Sequence, residues 1–321
     1  MTDETRTVSE LGEAGLIAQV ASYLPAPPPG EVWSGDDAAV FDPPADRALM
    51  TTDTLVEGAD FDLSYCEGFD VGWKAVAVNV SDVAAMGGRP THAVATLGLP
   101  PSTPVAVVDG IGRGLAAAAA EWDLAVVGGD VSSAPVILIG LTVIGSAEEP
   151  VLRSGARPGD LICVTGTIGG ASGGLELLRR GLGDRSPELV ERHLRPRARL
   201  HEGRRLAALG ATAMIDVSDG LAVDLTRLMK ASGTGCRVDP AAVPVDPALD
   251  ALVDAGLVRT GDLLRSAILG GEDFELLATL PDRRDAPVTV IGEVTDDAAL
   301  RFGDDDLEEL GRHGWDHLRD R

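Results

Sequence analysis

Helix-like and strand-like segments alternate along this chain, and the alternation breaks once, at Glu148-Glu149-Pro150. Ahead of the break, Leu11 to Tyr23 has helical character and the Pro-rich run Pro25 to Pro29 separates it from the first strand-like run. Val105, Val108, Ile111, Leu115 and Trp122 recur at helical spacing, while Leu124 to Val127 and Val136 to Ile144 read as buried strands. Beyond the break, Arg153 to Asp160 is a Gly- and Pro-punctuated connection to a new strand at Leu161 to Val164. Helices are expected near Gly174 to Arg180, Arg197 to Leu209 and Gly220 to Ala231, and strands near Met214 to Val217, Phe274 to Leu280 and Val288 to Val294. No fixed-period repeat is visible, which argues against a solenoid or propeller. A chain of 321 residues outgrows a single core, so two domains are expected, 1–149 and 150–321, of mixed α/β (α+β) class. With 45% hydrophobic but only 3% aromatic residues, their cores must be packed from Val, Leu, Ile and Ala.

Charge excludes several functions. Lys plus Arg number 27 against 51 Asp plus Glu, a net charge of −24, which disfavours nucleic acid and anionic membrane as partners. Most of these carboxylates are expected to be solvated surface. No apolar run approaches the roughly 20 residues needed to cross a bilayer, and the N-terminal stretch with Asp3, Glu4 and Arg6 has no secretory pattern, so a cytoplasmic location is expected. Cys66, Cys163 and Cys236 are far apart and odd in number, indicating reduced thiols rather than disulfides or a CxxC metal site.

Four segments place aspartates beside Gly, Ser or Thr, where backbone approaches a phosphate or metal closely. They are Gly35-Asp36-Asp37, Thr51-Thr52-Asp53-Thr54, Gly128-Gly129-Asp130 and Asp216-Val217-Ser218-Asp219-Gly220. Singly, a Gly-Asp-Asp is as readily a turn, and Ser218-Asp219 as readily an N-cap. Asp82 differs: it lies in Trp73 to Met86, an apolar helical segment with Val76, Val80 and Val83, and shares a face with Asn79. A carboxylate so placed needs a metal or a hydrogen-bonding partner, and Asn79 is one candidate partner. Dispersed aspartates suit magnesium held with substrate phosphates, since hard cations select oxygen. Zinc fits poorly, because the five histidines give only one helically spaced pair, His313 and His317. The only lysines, Lys74 and Lys230, stand outside any P-loop context. The glycines Gly166, Gly169, Gly170, Gly173 and Gly174 never give GxGxxG and are expected to serve strand-to-helix packing.

Taken in order, these segments resemble the thiamine-monophosphate kinase family, whose superfamily also contains aminoimidazole ribonucleotide synthetase and selenophosphate synthetase. The carriers are Gly35-Asp-Asp-Ala-Ala-Val40, Thr51-Thr-Asp-Thr-Leu-Val56, Trp73 to Gly88, Gly128-Gly-Asp130, Arg153 to Asp160, Asp216-Val-Ser-Asp-Gly-Leu221 and Gly270-Gly-Glu-Asp-Phe-Glu-Leu-Leu277. The resemblance implies a homodimer whose N-terminal sheets form a barrel across the dimer axis, a C-terminal α/β domain, and ATP in a cleft. It implies transfer of the ATP γ-phosphoryl group to thiamine phosphate with several Mg²⁺ ions. By position, Asp37, Thr51, Thr52, Asp53, Asp82, Asp130, Asp216 and Asp219 are expected as magnesium ligands. Gly129, Asp130, Arg153 and Ser218 are expected to contact ATP, and Glu272 and Trp315 the thiamine moiety. Where the family often has Gly-x-His-Phe, this chain has Gly58-Ala59-Asp60-Phe61, so Asp60 either meets the thiazolium cation or is a tolerated rim residue. A phosphate monoester has a second pKa of about 6, so no general base is required of the acceptor. The alternatives are an aminoimidazole ribonucleotide synthetase-like ligase and a magnesium-dependent phosphohydrolase that uses water as acceptor. The cysteine features of the selenophosphate and hydrogenase-maturation relatives are missing: no cysteine precedes Cys66, and the chain closes His317-Leu-Arg-Asp-Arg321.

Overall fold

The computed structural model describes residues 6–33, 38–282, 286 and 288–312. Asp37 and Trp315 therefore lie outside the described residues. The chain opens with helix α1 (Val8–Ala21), whose first turn is closed by the Glu10 carboxylate accepting the Thr7 amide at 2.8 Å. There follow β1 (Arg47–Val56), α2 (Gly68–Ala85), β2 (Arg89–Leu99), α3 (Val105–Glu121), β3 (Ala125–Ser133) and β4 (Leu138–Ala147). The strands form one sheet in the order β1-β4-β2-β3, antiparallel except for the parallel β2–β3 pair. Because strand side chains alternate between faces, the register separates two sides. Thr51, Asp53, Leu141, Val143, Ala93 and Ala95 share the side that α2 meets, where Leu141 and Val143 are fully buried. Met50, Thr52, Thr142, Val94 and Asp130 fall on the other side, which leaves Met50 77% and Val94 42% exposed.

The second half contains β5 (Leu161–Val164), α4 (Gly170–Arg179), α5 (Pro187–Leu194), α6 (Leu200–Ala208), β6 (Ala213–Asp216), α7 (Leu221–Ser232) and β7 (Gly235–Val238). It ends in α8 (Asp250–Asp254), α9 (Leu263–Leu269), β8 (Leu276–Leu280), β9 (Thr289–Thr295), β10 (Leu300–Phe302), β11 (Asp305–Asp306) and α10 (Leu307–Gly311). Its seven strands run β11-β10-β7-β9-β5-β8-β6. The core is aliphatic, as composition required: Ile162, Val164, Ile215, Leu225, Leu228 and Leu277 are among its buried members.

By packing, residues 1–83 with 89–148 form one unit and 84–88 with 149–321 another. The five residues 84–88, which sequence reading placed in the first domain, go with the second. Ala84 and Ala85 are buried among Val151, Leu206, Met214 and Leu276, and Val151 donates to the Met86 carbonyl at 3.1 Å. The glycine cluster also differs from expectation. A Cβ on Gly174 would meet the Leu189 carbonyl of α5 at 2.0 Å, and one on Gly173 would meet Leu249 at 2.5 Å. These glycines let helices approach each other rather than a strand.

Candidate functional site

In the first unit the expected ligands divide between the two sides of the sheet, with Thr51, Asp53 and Asp82 on the α2 side and Thr52 and Asp130 on the other. Thr51 Oγ1 donates to Asp82 Oδ2. The Asp53 amide donates to Asn79 Oδ1 at 3.1 Å, and Asn79 Nδ2 donates to the Ala75 carbonyl at 3.0 Å. Asn79 is fully buried and serves the backbone; Asp82 is met by Thr51, not by the Asn79 partner that sequence reading entertained. On the other side of the sheet, Thr52 Oγ1 donates to the Leu141 carbonyl at 2.9 Å and receives Thr142 Oγ1 at 3.1 Å. Asp130 Oδ2 accepts from Ser132 Oγ at 3.0 Å. Beside it, Gly129 has no room for a side chain, since a Cβ would lie 1.9 Å from the Ala95 carbonyl oxygen.

Beyond β1 the chain turns through Gly58, with φ +85°. Asp60 Oδ2 accepts the Val56 amide at 2.8 Å, and the buried Lys74 donates to the Asp60 carbonyl at 3.1 Å. Asp60 thus fastens its own turn.

In the second unit, Asp216 ends β6 and is buried. Ser218 and Asp219 follow, but neither caps the next helix as the sequence allowed: the N-cap of α7 is Gly220, at φ 112°. The amides of Ser218 and Asp219 are taken instead by Asp224 Oδ2, at 3.1 and 2.9 Å. Asp224 is fully buried, and burial, helped by the Asp219 charge, pushes its carboxyl up to about 6. Arg227 Nη1 donates to Asp224 Oδ1 at 2.8 Å and also to Asp219 Oδ2. Arg153 is exposed, in the loop before β5, where its carbonyl accepts from Ser232 Oγ at 3.2 Å.

The acids of Gly270-Gly-Glu-Asp-Phe-Glu275 divide by employment. Glu275 is buried, accepts from Thr165 Oγ1 at 2.6 Å and pairs with Arg199, whose Nε lies 2.8 Å away. Asp273 accepts the amides of Gly169 at 2.7 Å and Ala171 at 3.1 Å, at the start of α4. Burial outweighs those amides and pushes its carboxyl far above the usual range, to about 7. Glu272 is left nearer the surface, its side chain 30% exposed, with Oε2 3.1 Å from Nδ1 of the buried His193 on α5. Glu272 and Phe274 hold left-handed backbone, φ 68° and 49°, a strain that tends to persist where function over-determines the geometry. Their amides bond the Ser218 and Val217 carbonyls at 2.8 and 2.9 Å, which stitches this loop to the Ser218-Asp219 turn.

Sequence reading missed Asp224, Arg227, His193 and Asp273. Asp224 carried a usable signal: it shares a helical face with Leu221, Leu225 and Leu228, and a carboxylate on so apolar a face demands a partner, as Asp82 did on α2. Among the described residues no three His, Cys, Asp or Glu side chains converge as a metal cluster. Magnesium takes one or two protein carboxylates with phosphate and water oxygens, and the oxygen donors here, Thr51 with Asp82 and Thr52 across the sheet, fit that chemistry.

Residues 35–147 match the family described as AIR synthase related protein, N-terminal domain, and residues 157–305 match its C-terminal domain. The chain is 36% identical over 317 residues to a Mycobacterium tuberculosis protein named thiamine-monophosphate kinase, covering 98% of this chain and 94% of that one. Among solved structures it is similar to thiamine monophosphate kinase from Aquifex aeolicus, with TM-score 0.74 and 36% identity over 80% of this chain and 88% of the other. A structure described as AaThiL complexed with AMPPCP and TMP gives TM-score 0.75 and 34% identity, covering 92% and 95%.

Proposed function

This chain belongs to the thiamine-monophosphate kinases of the AIR synthase related family, and from that premise we propose how its own residues carry the reaction. It is an ATP-dependent kinase that phosphorylates thiamine phosphate to thiamine diphosphate and releases ADP. Two polyanions must be brought together, and unit charges about 4 Å apart repel by roughly 4 kcal/mol at an effective dielectric near 20. The task of the protein is therefore positioning and charge neutralisation, with no general base, because the acceptor phosphate is already largely deprotonated near neutrality.

The observation that carries the assignment is the β1–α2 pairing, in which Thr51 meets Asp82 and the Asp53 backbone is fixed by Asn79. Asp53, Asp82, Asp130, Thr51 and Thr52 in the first unit, and Asp216 and Asp219 in the second, are the proposed magnesium ligands. The separation of Thr51 and Asp53 from Thr52 and Asp130 by strand alternation supports more than one ion. Bound Mg²⁺ would neutralise the phosphate oxygens. Asp37, proposed as a further ligand, and Trp315, proposed for thiamine, stand on the resemblance alone.

Gly129, Asp130, Arg153 and Ser218 are proposed to contact ATP. Gly129 lets backbone come close, and the exposed Arg153 guanidinium suits a phosphate. Glu272 and Asp60 are proposed to face the thiazolium cation; Glu272, paired with His193, is 30% exposed, whereas Glu275 is buried against Arg199. We assign ATP, magnesium and dimer contacts to 1–149, with its sheet and that of a second copy together closing the barrel. We place the enzyme in the cytoplasm, without nucleic acid or membrane partners, in keeping with its net charge of −24. Among the described residues no helix is long and apolar enough to cross a membrane.

The test of the ligand set is Asp130→Asn. Loss of one preorganised electrostatic group costs on the order of a hundredfold in kcat, with Tm unchanged because the side chain is exposed. EDTA should abolish turnover and added Mg²⁺ restore it; near-normal turnover by the variant, or in EDTA, would refute the assignment.

A further inference from the structure

Asp224 sits on the apolar face of α7 and is fully buried, where a charge survives only if partners replace water. It has three: the amides of Ser218 and Asp219 on Oδ2, and Arg227 on Oδ1. Arg227 uses the same Nη1 for the Asp219 carboxylate. The charge that would attract a divalent cation to Asp219 is therefore already balanced from within the protein, by a guanidinium with a second, buried anchor. Release from Asp219 would leave Arg227 paired with Asp224, so exchange for a cation breaks one ion pair rather than two. The Arg227 side chain is 46% exposed, so its hold on Asp219 is modest and open to competition.

We propose that Asp224 and Arg227 are positioning residues for Asp219: Asp224 fixes the Ser218–Asp219 turn and tethers the guanidinium, and Arg227 holds the Asp219 carboxylate until a divalent cation displaces it. The inference rests on the proposed role of Asp219 as a cation ligand. Under it, the second unit carries an occupied, preshaped carboxylate rather than a bare one, and cation affinity there is set by residues that never touch the cation.

The experiment is a Mn²⁺ titration of the nucleotide-free full-length protein, followed by electron paramagnetic resonance of the free ion, with circular dichroism to confirm the fold. Arg227→Gln should bind Mn²⁺ about two- to fivefold more tightly, the range set by a partly exposed ion pair. Arg227→Met, which keeps the packed stem, serves as the second variant and should move the same way. Lys230→Gln, one turn on, removes a charge paired with Glu308 at 2.8 Å and should leave affinity unchanged. Asp224→Asn, which leaves Arg227 with Asp219 as its remaining carboxylate partner, should weaken binding, and adding Arg227→Gln should remove that loss. Asp219→Asn should weaken binding on its own. If Asp219→Asn weakens binding but both Arg227 variants leave it unchanged, or Lys230→Gln matches them, the positioning role falls while the ligand role stands. If Asp219→Asn has no effect, the ligand role falls and this inference with it.

Discussion

Asp60 shows how a residue can be conspicuous in the sequence while its local contact is not. Its departure from the family's Gly-x-His-Phe pattern was plain in the sequence, but its bond to a main-chain amide was not. Oδ2 accepts the Val56 amide and so holds the turn after β1, a turn that passes through Gly58 at φ +85°. Asp60→Asn keeps an oxygen for that amide and removes only the charge. If Asp60 also faces the thiazolium, the variant raises KM for thiamine phosphate about two- to fivefold at unchanged kcat; an unchanged KM would reduce Asp60 to a turn residue. Asp82 was legible for the opposite reason, since its helix is apolar enough to make a carboxylate conspicuous. Its partner Thr51 lies 31 positions away and could not have been chosen over Asn79 without the strand register.

At the level of elements, segments with an unbroken apolar pattern were readable and glycine-rich or interrupted ones were not. α3 and β5 were found where the apolar pattern placed them. The start of α4 was set too late because Gly170, Gly173 and Gly174 weaken helical propensity, while α5 supplies the packing that makes them helical. β2 carries Pro90 and Gly98, both unfavourable in strands, and was not singled out; β7 and β10 are interrupted by Arg237 and Arg301 and β11 is two aspartates, so none makes an apolar run like β5. The helix start at α4 also has a titratable cap. The Asp273 carboxyl lies at about 7 in the folded chain, against about 4 when unfolded, so the folded state binds the proton more tightly. Its stabilising share is complete at low pH and is lost as pH rises from about 4 to 7. The difference in Tm between the parent and Asp273→Asn should therefore shrink from pH 5 to pH 8; a constant or widening difference would contradict the burial of that carboxylate.

For the whole molecule, the sheet β1-β4-β2-β3, on one face of which Met50 is exposed, is proposed to close a barrel with that of a second copy. Light scattering should give twice the chain mass, and Met50→Glu, which puts a charge on that face, should shift the protein to the chain mass; a monomeric parent would refute the dimer. Two-unit organisation was legible from the single break in the alternation, though the passage of residues 84–88 into the second unit depends on long-range packing that no local pattern carries. The acceptor was not legible from physical chemistry at all: dispersed aspartates, no P-loop and an acidic chain are the grounds on which magnesium-assisted phosphotransfer is proposed, and they leave the substrate open. The direct measurement is ADP release from ATP and Mg²⁺ with and without thiamine phosphate, with the products separated. ADP should form only when thiamine phosphate is present, matched one for one by thiamine diphosphate. ADP that forms equally without the acceptor, with inorganic phosphate as the co-product, would mean that water is the acceptor and that the chain is not a kinase.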